Sequence, residues 1–105
     1  MGIQKDAEEV LVYIYKKYVE GLENLKISEI EKVTGWGLPK VTRATKYLSD
    51  KKLVELCWFA GETETTLNIT SEGIDVIETP KEFKKNFGNK INLGIYSFSW
   101  GASEK

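Results

Sequence analysis

The sequence predicts an α+β domain: three helices, a pair of strands, a short helix, and a further strand near the C-terminus. Three observations carry this. Apolar residues recur at spacings of three and four over residues 4–21 and again over 38–48. Two runs rich in β-formers, 54–59 and 65–69, flank Ala60-Gly61-Glu62-Thr63-Glu64, which reads as a hairpin connection. Helix punctuation falls between these segments, at Ser28, Gly35, Pro39, Thr70 and Pro80.

The first helix, residues 4–21, places Ile3, Ala7, Val10, Leu11, Ile14 and Tyr18 on one stripe, and Gly21 is its expected stop. A second stripe, Val12, Tyr15, Val19 and Leu22, makes the helix apolar on more than one side. It is therefore central to the core or packed against a partner chain. Ser28 and Glu31 fit a capping box that starts the second helix, with Ile30 and Val33 inward and Gly35 as its left-handed end. The third helix begins at Leu38, with Pro39 in the first turn, where no N–H is needed. Val41, Ala44 and Leu48, then Leu53, form its buried side, while Lys40, Thr42, Arg43, Thr45 and Lys46 lie mainly opposite.

After the strands, Thr70 caps a short helix, Ser71 to about Ile77, which Pro80 closes off. Residues 81–90 read as a polar, basic connector with Gly88 and Asn89 as turn residues. Ile91, Leu93 and Ile95 alternate in the last strand, and Tyr96, Phe98 and Trp100 continue it after a switch of side that implies a bulge. Trp58 and Phe59 point to opposite faces of their strand, and Trp36 is read as partly buried. Tyr13, Tyr15 and Tyr47 are packing residues, and Cys57 is an inert core thiol. The carboxylate pairs Glu8/Glu9 and Glu62/Glu64 are assigned to the surface.

A chain of 105 residues, 41% hydrophobic, suits one core and is too apolar for disorder at a net charge of -1. No apolar run approaches the length of a membrane span, and the N-terminus lacks a signal-peptide pattern. With its single cysteine this favours the cytoplasm. The sequence has no histidine, so the commonest general base and metal ligand are both missing. It has neither zinc-ligand spacing nor a phosphate-binding glycine loop. The expectation is a binding module, not an enzyme, with no cofactor, no metal and no evident small-molecule ligand.

Charge is segregated. Residues 37–52 carry Lys40, Arg43, Lys46, Lys51 and Lys52 against Asp50 alone, whereas residues 53–80 carry six acids and no base. The only arginine lies in the basic block, a local anion-binding surface on an otherwise acidic chain.

The segment from Ile27 to Leu48, containing Gly35-Trp36-Gly37-Leu38-Pro39, leads through Ser49-Asp50-Lys51-Lys52 into Leu53-Val54. With Leu67-Asn68-Ile69-Thr70-Ser71-Glu72-Gly73-Ile74, it resembles the MarR-like and related winged helix-turn-helix transcriptional regulators of bacteria and archaea. The resemblance covers roughly residues 5–78. It implies a three-helix core, a two-stranded wing and a following short helix, with the additional C-terminal strand outside that pattern. It further implies a DNA-binding domain over 1–80 that inserts helix 38–48 into the major groove of double-stranded DNA. Lys40, Thr42, Arg43 and Lys46, with Lys51 and Lys52, are then the DNA contacts. Arg43 suits a guanine O6/N7 pair, Thr42 a base edge, and the lysines suit phosphates.

The sequence departs from that family at the wing tip, where Glu62 and Glu64 would repel phosphates. The alternative is therefore a winged-helix protein-interaction module that does not bind DNA. Residues 81–105 are assigned to a connector and a strand that extends the sheet or joins a second chain. The latter is favoured, as a homodimer through helix 4–21 and strand 91–100.

Overall fold

The computed structural model describes residues 2–57 and 65–88. Among them the order is α1 (Ile3–Val19), β1 (Leu25–Lys26), α2 (Ile27–Thr34), α3 (Leu38–Asp50), β2 (Val54–Cys57), β3 (Thr66–Ile69), α4 (Ser71–Glu78) and α5 (Pro80–Phe87). The architecture is α+β, five helices on one small antiparallel sheet of strand order β1-β3-β2. Leu67 stands at the centre of that sheet, opposite Leu25 on one side and Leu56 on the other.

Helix α1 is the axis of the core and packs on α3, α4, α5 and β3. Ala7, Val10 and Leu11 are fully buried, and so is Val12 of the second stripe. That stripe changes character along the helix. Tyr15 is half-buried and donates its hydroxyl to Glu78 Oε2 at 2.6 Å, a bond that pushes the phenol pKa up. Beyond it Val19 and Leu22 are 65% and 48% exposed. The helix is therefore core for most of its length and exposed at its end. Glu8, assigned to the surface, is buried at 3% exposure, with Lys5 Nζ 3.9 Å from its Oε2. A helix enclosed by three others leaves few positions in solvent.

The start of α2 also differs from the expectation. The helix begins at Ile27 with Lys26 as N-cap, and no side chain bonds the cap, so Ser28 lies inside the first turn. The cause is β1, which two residues without periodicity could not announce. Lys26 pairs with Thr66, and the Ile27 amide donates to the Thr65 carbonyl at 3.3 Å, so the strand runs directly into the helix. Asn24, in a left-handed conformation (φ 55°), turns the chain into this strand. Its amide N–H donates to Asn68 Oδ1 at 2.9 Å, and Asn68 Nδ2 donates back to Asn24 Oδ1 at 2.8 Å.

Helices α3 and α4 begin as expected. Pro39 lies in the first turn of α3, and Thr70 caps α4 by accepting from the Gly73 amide at 3.0 Å. The expected connector after Pro80 is instead the helix α5. Pro80 is in its first turn and Gly88 (φ 80°) ends it, while Phe83 and Phe87 join the common core with ring centroids 5.0 Å apart. A proline ends one helix and starts the next with equal ease, because its fixed φ and missing N–H suit a first turn.

Cys57 is half-buried at the end of β2, not in the core. Tyr13, Tyr15, Trp36 and Tyr47 pack against the core from its edge, as expected. Trp58, Phe59, the hairpin connection 60–64 and strand 91–100 lie outside the described residues. No helix among the described residues is long and apolar enough to cross a membrane.

Candidate nucleic-acid interface

The basic block lies along α3 and the bend that follows it. The entry to α3 is set by a tight turn. Gly35 adopts φ 74° and donates its amide to the Glu31 carbonyl at 2.9 Å, a left-handed stop that glycine makes without steric cost. Thr34, fully buried, donates its hydroxyl to the Ile30 carbonyl at 2.7 Å and accepts from the Trp36 amide at 3.1 Å. Gly37 is the N-cap, and its carbonyl accepts from Lys40 and Val41 amides at 3.1 and 3.2 Å. The inward side is Val41, Ala44, Thr45 and Leu48. Thr45, expected on the outer side, is buried, and its hydroxyl donates to the Thr42 carbonyl at 3.1 Å.

The exit is equally fixed. The Leu53 amide donates to the Leu48 carbonyl at 2.9 Å and the Lys52 amide to the Ser49 carbonyl at 2.9 Å. This is the paired bonding of a Schellman end, with Lys52 at the left-handed position (φ 63°) where glycine is usual. Thr70 ties the bend to α4: its hydroxyl donates to the Lys52 carbonyl at 2.8 Å, and its amide donates to the Leu53 carbonyl at 3.1 Å.

The six candidate side chains are all exposed, but their surroundings differ. Arg43 has no acidic partner among the described residues. Lys46 Nζ is 3.5 Å from Asp50 Oδ2, both ends largely in water. An exposed pair of this kind is worth only about 0.2–1 kcal/mol, so a phosphate competes for the lysine at little cost. Lys51 Nζ lies over the Tyr47 ring, 5.6 Å from its centroid. Lys40 is held differently. Its Nζ is 3.8 Å from Asp6 Oδ1 on α1 and 4.5 Å from the Trp36 ring centroid. That clamp joins the start of α3 to α1 and the turn, so Lys40 is engaged within the fold.

Sequence reasoning missed Leu38 and the groove beside it. Leu38, the first residue of α3, is 51% exposed. With Ile27 of α2, Leu56 of β2 (39% exposed), Thr42 and Ser49 it lines an open groove of about 650 Å³. Glu31, Lys46 and Asp50 line it as well. Glu62 and Glu64 lie outside the described residues. No group of three or more His, Cys, Asp or Glu side chains among the described residues could hold a metal ion. No protein-family model, curated protein or solved structure matches the chain.

Proposed function

We propose that the chain is a winged-helix DNA-binding protein, a transcriptional regulator of the cytoplasm that lays α3 in the major groove of double-stranded DNA. The observation that carries this reading is the division of α3 into two faces. Val41, Ala44 and Leu48 are fully buried, while Thr42, Arg43 and Lys46 point outward, and Lys51 and Lys52 follow on a bend fixed by hydrogen bonds. Helix–strand order supports it as well, since α1-β1-α2-α3-β2-β3 is the order a winged helix requires, with β2 and β3 as the arms of the wing.

In this arrangement Arg43 reads a guanine through O6 and N7, Thr42 meets a neighbouring base edge, and Lys46, Lys51 and Lys52 hold phosphates. The partial positive charge at the start of α3 adds to phosphate attraction. A homodimer would place two such helices about 34 Å apart on a palindromic site. The uncovered end of α1, with Tyr18, Val19 and Leu22 exposed, is the described surface that suits a second copy.

The test is binding to random-sequence duplex across a salt series. A log–log slope of about -0.9 per phosphate contacted is expected. Arg43→Ala should weaken binding to a selected duplex while leaving thermal unfolding unchanged. Absence of affinity even at low salt overturns the reading. The apolar groove beside α3 specifically favours the second reading, a winged-helix module that docks on another protein, and that result would select it.

A further inference from the structure

An exposed leucine is unremarkable alone, but Leu38 occupies a particular place. It opens α3, and the first turns of a recognition helix are those that approach base edges. Thr42 lies one turn further on, about 40° around the helix axis at 100° per residue, on the same side. Both line the groove beside α3, and neither is covered by another described element. Arg43 lies about 100° further round, so the outward surface of α3 has an apolar edge and a cationic centre.

Resting on the DNA reading above, we propose that Leu38 and the methyl of Thr42 form a specificity-determining contact for the 5-methyl group of thymine. The chemistry is restrictive. Leucine neither donates nor accepts a hydrogen bond, and the thymine methyl is the one apolar group that the base pairs present in the major groove. The groove itself is lined by Lys46, Asp50 and Glu31 beside the apolar residues. The argument for DNA as the occupant is Arg43, one residue beyond Thr42, exposed and without an acidic partner among the described residues, a cation that complements a polyanion next to the apolar edge. Leu38 and Arg43 are about 7.5 Å apart along the helix axis, roughly two base-pair steps, so the thymine lies within about two base pairs of the guanine that Arg43 reads.

The experiment begins by selecting duplexes from a random pool with the full chain. The enriched duplex is then synthesised twice, with thymine and with uracil, which differ only in the methyl group. The expected result is about fourfold weaker binding per lost contact. Leu38→Ala should bind the thymine duplex correspondingly more weakly and distinguish the two less than the parent does, with an unchanged salt slope. Since the side chain is half in solvent and alanine is the best helix former, that variant should fold as the parent does. Equal affinity of the parent for both duplexes, or a thymine preference undiminished in Leu38→Ala, overturns this inference and leaves the DNA reading standing. Failure to enrich any duplex, with no affinity at low salt, overturns both and assigns the groove to a protein partner.

Discussion

At Gly73 a single missing side chain decides how closely α4 approaches the end of α3. A Cβ there would fall inside contact distance of the Leu53 carbonyl oxygen and 2.8 Å from Ile69 Cγ1. The same carbonyl accepts from the Thr70 amide, so backbone stands where backbone is needed and cannot retreat. Gly73→Ala is expected to destabilise the fold by about 1–3 kcal/mol, read from a denaturant midpoint. A neutral result would mean that α4 slides without loss. Lys52 carries the opposite strain. Its left-handed backbone is unfavourable for any residue with a Cβ, so Lys52→Gly should raise stability by up to about 1 kcal/mol. On the proposed function the same change removes the phosphate contact assigned to Lys52 and should lower the DNA salt slope by about one unit. Stability and affinity moving in the same direction would contradict the role given to Lys52.

Element by element, legibility followed how local each cause is. Helices α3 and α4 were readable because proline, the threonine cap and the apolar spacing all lie inside the segments they define. β1 was not, since two residues become a strand only when Leu25 and Lys26 find Leu67 and Thr66. α5 had signals that were outweighed by its lysines: Phe83 and Phe87 at helical spacing, Pro80 before them and Gly88 after. Its weight in the core is measurable. Phe83→Ala is expected to cost about 3–5 kcal/mol in urea unfolding, because the ring is fully buried. A loss below about 1 kcal/mol would return residues 81–87 to the status of a connector. In the candidate site, the outward position of Thr42, Arg43 and Lys46 followed from periodicity. The clamp on Lys40 did not, because Asp6 is distant in sequence and meets it only when α1 packs on α3. The exposure of Leu38 was equally hidden, since its spacing to Val41 and Leu48 is that of the core stripe.

Across the whole molecule, the sequence pI of about 5.6 conceals a division by region. The chain is acidic from β2 to α4 and basic along α3 and its exit, so attraction to a polyanion depends on orientation, not on net charge. Such a protein would approach DNA by one face and be repelled by others, which makes its affinity steeply salt-dependent and its docking geometry restricted. In the proposed complex the groove next to α3 would supply the apolar element that a purely electrostatic contact lacks.

The proposed placement of α3 in the major groove turns on one atom of guanine. Guanine N7 lies in the major groove and is one of the two acceptors an arginine fork engages. Methylating N7 in a selected duplex should lower the affinity of the parent chain by about tenfold and leave Arg43→Ala, already weakened, indifferent. Unchanged binding of the parent to methylated duplex, or interference confined to adenine N3 in the minor groove, would contradict the placement of α3.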